Sequence, residues 1–456
     1  MAHPAPTASP AIPELGVPRS RIVIASMVGT TIEFYDFYIY ATAAVSVFPL
    51  LFFTKGDPGA ALLASMATFG AAFVARPVGS VLFGHFGDRI GRKATLVGSL
   101  LTMGIATFLI GLLPTFLQVG LLAPTLLTIL RFCQGLGLGG EWSGAALLVT
   151  ETAEEGKRAW AAMWPQLGAP FGFLLANGFF LLLTVLFNYD SAQAQQQSEF
   201  LAWGWRIPFL VSMALVLVGL YMRLKLEETP VFARAVARGQ KVDTPVAVVF
   251  REHSKALVLG TFIMLATYVL FYLMTTWILS YAIGATGLGF LGIGYRDFLV
   301  LQLVAVLLFA AMTPVSGWLA DRYGRRSVLL IVTAAIFLFG LTFRVFLDPG
   351  VMGVGAQAND GLMLVFLCIG MTLMGLSFGP MSAILPELFP THVRYTGSGI
   401  AYNVSSILGA ALTPFAAVWL ARTHGVGSVG LYLSALSLLT LTALWVSKET
   451  RDAGLE

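Results

Sequence analysis

Charge is what this chain has least of. Asp, Glu, Lys and Arg make up 11% of its 456 residues, against about 25% in an ordinary soluble domain. Cysteine is nearly absent too. Cys133 and Cys368 both fall within apolar stretches, which argues against a disulfide framework and reads as small packing residues. The five histidines, His3, His85, His253, His392 and His424, are scattered. With no metal-spaced cluster, nucleophile elbow or phosphate loop, an enzyme lacks support. A sensor would need an attached signalling domain, and no polar stretch is long enough to supply one. Alternating segments of about 10 residues, the mark of a membrane β-barrel, are also missing.

What is present is apolar sequence: 57% hydrophobic residues and a mean hydropathy of +0.83, more than one water-soluble core can bury. A spanning helix takes about 20 mostly apolar residues. Twelve such stretches are predicted at 22–53, 60–86, 93–113, 120–150, 161–188, 204–222, 256–283, 297–320, 327–347, 362–386, 395–421 and 427–447. The expected fold is therefore an all-α membrane protein. Residues 1–21, rich in Pro and Ala, lack the apolar core and cleavage pattern of a signal peptide. They read as a disordered tail, with the first helix as an uncleaved insertion signal.

The chain repeats itself. Gly84-His-Phe-Gly-Asp88-Arg89-Ile-Gly91-Arg92-Lys93 recurs as Gly317-Trp-Leu-Ala-Asp321-Arg322-Tyr-Gly324-Arg325-Arg326, and Glu151 with Arg158 recurs as Glu387 with Arg394. Matched loops in register mean a duplicated six-helix unit. The predicted organisation is a tail (1–21), an N-terminal bundle (22–222), a polar linker (223–255), a C-terminal bundle (256–447) and a short tail (448–456). With both ends on one side, that side collects 20 of the 27 Lys and Arg residues. The positive-inside rule makes it cytoplasmic. The net charge of +4 is this topological bias, and the spread of basic residues among loops gives no stripe for nucleic acid.

Intramembrane charge costs about 2.5–3.5 kcal/mol per group at a helix centre, so the few such groups are the candidates for function. Glu33 falls near the midplane of the first span, and Asp36 one turn further on shares its face. The pair is expected to titrate interactively. Burial and a like charge favour the protonated form of a carboxylate, and a nearby Arg favours the ionised one. A site that exchanges an Arg partner for a proton would couple a change of conformation to protons, with Arg76 of the second span as that partner; the alternative is a permanent pairing that only packs helices. Arg131 in the fourth span, with Gln134 on the same side, offers a planar donor fork suited to a carboxylate substrate. Its alternative is a structural salt bridge to a first-span carboxylate. Glu141, among Gly135, Gly137, Gly139 and Gly140, suits packing or gating. Tyr268, Tyr272, Tyr402 and Asn403 can line a cavity with neutral hydrogen-bonding groups. On the inner face, Asp88, Arg89, Arg92, Glu151, Arg158, Asp321, Arg322, Arg325, Glu387 and Arg394 are the candidate gate. There an Asp can accept from Arg or cap a helix N-terminus.

The paired Gly-x-x-x-Asp-Arg-x-Gly-Arg-Lys/Arg loops resemble the signature of the major facilitator superfamily. Glu33-Phe-Tyr-Asp36-Phe-Tyr, Arg76-Pro77-x-Gly79 and Arg131-x-x-Gln134-Gly135 running to Gly139-Gly140-Glu141 resemble its metabolite:proton symporter subfamily, from Arg21 to Thr450. The resemblance implies twelve helices in two pseudo-symmetric bundles, alternating access, and proton-coupled symport of a small organic acid or a zwitterion such as proline or betaine. It further implies no cofactor beyond a coupling ion, H+, and a multi-pass monomer in the bacterial inner membrane. A uniporter or exporter on the same fold is the competing reading.

Overall fold

The computed structural model describes residues 19–53, 57–90, 92–139, 142–151, 153–154, 156–189, 198–224, 245–390 and 393–451. Residues 1–18 of the expected tail (1–21), most of the linker, and Glu141 lie outside them; residues 19–21, placed in that tail by the sequence, are the first turn of α1. Twelve helical segments cross the molecule: α1 (Arg19–Ser46), α2 (Pro58–Ile90), α3 (Arg92–Gly111), α4 (Leu122–Leu138, continued by Trp142–Glu151), α5 (Arg158–Leu186) and α6 (Gly204–Met222), then α7 (Ser254–Ile283), α8 (Tyr295–Tyr323), α9 (Arg325–Leu341), α10 (Asp360–Glu387), α11 (Arg394–His424) and α12 (Val426–Val446). Eight of them are long and apolar enough to cross a bilayer by length and composition alone. The other four, α1, α3, α4 and α9, pack among them. Many exposed side chains are large and apolar, such as Ile331, Leu338, Leu431 and Trp445, as a lipid-facing surface requires.

Each half is a bundle. In the first, α1 packs on α5, α2 on α4 and α3 on α6; in the second, α7 packs on α11 and α12, α8 on α10, and α9 on α12. The halves meet chiefly along two pairs, α2 with α11 and α5 with α8. Under the repeat, α2 corresponds to α8 and α5 to α11, so the two seams are images of one another.

Small residues permit the closest approach. A Cβ at Gly79, Gly135 or Gly139 would run into the backbone oxygen of Leu136, Ala72 or Arg76 on the facing helix, so α2 and α4 touch backbone to backbone. This contact sets the depth at which Arg76 and Arg131 enter the bundle. Two helices of the second half, α7 and α11, each contain a π-turn, at Leu273–Trp277 and Ile407–Ala411. Such turns interrupt the regular ladder and recur where helices serve a function.

Candidate functional site: a central cavity between two gates

A cavity at the centre is lined by Glu33, Phe34 and Phe37 of α1, Arg76 of α2, Tyr268, Phe271 and Tyr272 of α7, Phe378 of α10 and Tyr402 of α11. It encloses about 10 Å³ of free space, on the order of one water molecule. Both halves contribute, and Glu33 stands at the midpoint of α1. The Arg76 guanidinium carbon lies 4.7 Å from the Phe73 ring centre, and Tyr402 shares the cavity wall with it. The Nε of Arg76 has no hydrogen-bond partner among the described residues. A buried guanidinium with a spare donor, beside a carboxylate and tyrosine hydroxyls, can hold a small polar molecule by one anionic group.

Glu33 and Asp36, one turn apart on α1, have different surroundings. Asp36 does not line the cavity; its hydrogen bond goes to α3, and from there a chain reaches α4. The Thr107 hydroxyl shares its proton between Asp36 Oδ2 at 3.1 Å and the Met103 carbonyl at 2.9 Å, and accepts from Gln134 Nε2 at 2.6 Å. Gln134 Oε1 in turn accepts from Arg131 Nη1 at 2.8 Å. A chain of four side chains thus runs from Arg131 to Asp36. Asp36 Oδ1 and Arg131 Nε and Nη2 have no hydrogen-bond partner among the described residues.

Arg131 and Gln134 are accordingly absent from the cavity wall, against the expectation that they face substrate. Arg131 is 0% exposed, and its guanidinium lies 4.0 Å from the Tyr40 ring centre, 5.0 Å from that of Phe69 and 5.3 Å from that of Phe37. Aromatic faces stabilise a desolvated cation. The cavity cation is Arg76, which the sequence reading paired with proton handling. Tyr268, Tyr272 and Tyr402 do line the cavity, whereas Asn403 is buried away from it. Sequence reasoning missed Thr107 and the Tyr40–Phe69 walls, and no motif marks them.

At the end of the bundle where α1 begins and α12 ends, here the termini end, Asp321 of α8 reaches across to the first half. Its carboxylate accepts from the backbone N–H of Ala159 at 3.0 Å and of Trp160 at 2.8 Å, capping the N-terminus of α5. Arg325 holds the same carboxylate at 3.1 Å and Glu387 at 3.3 Å. Thr450 donates to Glu387 at 2.6 Å, and Arg158 lies near enough to Glu387 to act on it electrostatically. Glu449, unremarked in the sequence, accepts from the backbone N–H groups of Arg325 at 2.8 Å and Arg326 at 3.1 Å, capping α9. Arg322 lies over Trp318 and Tyr323 at the surface, and the Arg394 Nε bonds the carbonyls of Pro386 and Phe389, bracing its own turn. The side chains of Asp88, Arg89, Arg92 and Glu151 lie outside the described residues.

The opposite end is also closed. Arg296 of α8 donates to the carbonyls of Tyr189 and Thr184 at the end of α5, and Arg422 of α11 pairs with Asp57 before α2 at 3.2 Å. Both arginines lie outside the matched loops of the repeat. With contacts between the halves at both ends and a nearly filled centre, the conformation is occluded.

Two six-helix bundles related by an internal repeat, with a polar cavity at their seam and cross-bundle contacts at each end, define a major facilitator transporter. The pattern of the sugar (and other) transporter family matches residues 22–456, and the chain belongs to that family. An inner membrane metabolite transport protein of Escherichia coli (strain K12), YhjE, is 53% identical over 96% of this chain and 96% of its own length. A shikimate transporter of the same organism is 35% identical over 95% of each. The crystal structure of a D-xylose-proton symporter shares the fold, with a TM-score of 0.69 at 17% identity over 96% of this chain and 99% of that one. The chain is thus a multi-pass membrane transporter of metabolites and not an enzyme.

Proposed function

We propose that the protein is a proton-coupled importer of a small organic acid, with the carboxylate held by Arg76 in the central cavity and the proton handled at Asp36. The observation that carries this reading is the separation of the two acidic sites. Glu33 lines the cavity, while Asp36 ends a buried chain through Thr107 and Gln134 to Arg131. A symporter needs one place for cargo and another for the ion, linked but not competing. Protonation of Asp36 removes the anionic end of the chain and so changes what Arg131 is drawn towards. Phe37 faces both the cavity and Arg131, so a shift of the guanidinium is felt at the cavity wall. The loss or gain of such contacts biases two conformations only as far as each ligand prefers one of them.

A second reading, a zwitterion symporter, is favoured by Glu33 beside Arg76 and by the rings of Phe34, Phe37 and Phe271 in the same wall. An ammonium group can lie against a carboxylate and aromatic faces while a carboxylate meets Arg76. In either case the cargo is a small molecule, no cofactor is required, and the chain acts as a monomer in the inner membrane with both termini in the cytoplasm.

The test is uptake into proteoliposomes under an imposed pH gradient, with shikimate and glycine betaine as separate probes and a pH dye inside. Accumulation of a probe with matching internal acidification supports symport. Uptake that ignores the gradient and stops at equal concentrations inside and out overturns it in favour of a uniporter.

A further inference from the structure

Trp142 opens the second segment of α4, and its ring lies flat on that of Tyr402 from the other half, with centroids 3.8 Å apart and planes 9° from parallel. We infer that this stack is the latch closing the cavity toward the termini end, and that Arg76 holds it shut through the Tyr402 hydroxyl. The location follows from helix geometry. Tyr402 is eight residues into α11 and Glu33 fourteen into α1, so at about 1.5 Å per residue they lie roughly 12 and 21 Å from the termini end. The stack is therefore the floor of the cavity, between Glu33 and the Asp321 contact. The other side of the cavity is closed by Tyr272 against Phe37 and Phe73, at 5.5 and 5.4 Å.

Trp142 touches no cavity space itself and acts by positioning Tyr402. The Tyr402 ring is gripped on one face by Trp142, approached by Tyr268 at 5.4 Å, and shares the cavity wall with Arg76. Opening the termini end must pull α11 from α4 and so break the stack. The π-turn at Ile407–Ala411 begins just over one turn beyond Tyr402 and gives α11 a place to bend there. Any carboxylate that took the Arg76 donors would free the hydroxyl and loosen the latch from inside. That release step alone rests on the cargo reading above.

The experiment needs neither cargo nor gradient. Spin labels at K157C and K448C, two exposed positions on the termini end in different halves, are placed in a C133S/C368S background, and pulsed electron resonance reads their distance distribution. W142A should raise the ratio of open to closed molecules by about threefold to tenfold, the shift an aromatic pair of this kind carries, and Y402F, which keeps the ring and loses only the hydroxyl, by a comparable factor, the shift of one lost hydrogen bond. W142F, which keeps a ring on Tyr402, should stay close to wild type. If Arg76 acts through the hydroxyl, R76Q combined with Y402F opens the protein no further than either alone. An unchanged distribution in W142A, W142F opening as far as W142A, or additive effects of R76Q and Y402F would overturn the proposal. Because no cargo is added, a failure here is separate from a failure of symport.

Discussion

Asp321 accepts the backbone N–H of Trp160 at 2.8 Å across the seam between the two halves. A carboxylate on a helix N-terminus satisfies donors that the helix cannot, and its charge meets the positive end of the helix dipole. The same side chain is held from behind by Arg325, whose side chain is 0% exposed, so its aim is fixed. The D321N substitution keeps the shape and removes the charge. It should destabilise the closed termini end by about 0.5–2 kcal/mol, seen as faster alkylation of a cysteine placed on the cavity floor. A rate equal to wild type would remove Asp321 from the gate.

Glu449 performs the matching task within the second half by capping α9 through Arg325 and Arg326. It also accepts from the N–H groups of Thr450 and Arg451, which ties the last described turn of chain to the gate. E449A should lower the melting temperature of the purified protein, with a cost of about 1 kcal/mol for the cap. R326A would lose the bonds to the Leu444 and Trp445 carbonyls and should act in the same direction. A melting curve unmoved by either change would show that the segment after α12 only rests on the gate.

Much of this architecture was legible in the sequence, for a physical reason. The bilayer dictates span length, and duplication leaves matched loops, so the twelve predicted stretches fall on the twelve helical segments with shifts of a few residues. The division of labour among the charges was harder to read. Residues three apart on a helix are offset by about 60° around its axis, enough to send Glu33 into the cavity and Asp36 toward Thr107. Likewise, Arg76 and Arg131 are both intramembrane arginines followed by glycine-rich sequence. Only the close contact of α2 with α4 decides which one meets the cavity and which is walled in by Tyr40 and Phe69.

That contact is itself testable. Replacing Gly135 with Val sets a branched side chain against the backbone of Ala72, a position with no flexible neighbour to yield. Overpacking of this kind costs about 1–3 kcal/mol and sometimes more. G135V should therefore reduce the yield of folded protein and its thermal stability, while G178V should leave both unchanged, since a Cβ at Gly178 meets nothing within 4 Å. Equal behaviour of the two variants in a thermal-shift assay would contradict the packing argument.

The chain from Arg131 to Asp36 yields the sharpest separation between carrying and coupling. D36N preserves the size of the side chain and its bond to Thr107 but cannot take up and release a proton. If Asp36 handles the ion, the variant should still exchange labelled for unlabelled cargo across the membrane at equal pH, because that cycle needs no net proton movement. It should fail to concentrate cargo under an inside-alkaline gradient, where the wild type draws protons and cargo inward together. R76Q should do the opposite and lose exchange and accumulation alike, because its defect lies in holding the carboxylate. The two measurements are made on the same proteoliposomes, with shikimate and glycine betaine as probes. A D36N protein that still accumulates cargo in step with the pH gradient would move the proton site elsewhere, and Glu33, the other acid of α1, would be the next to neutralise.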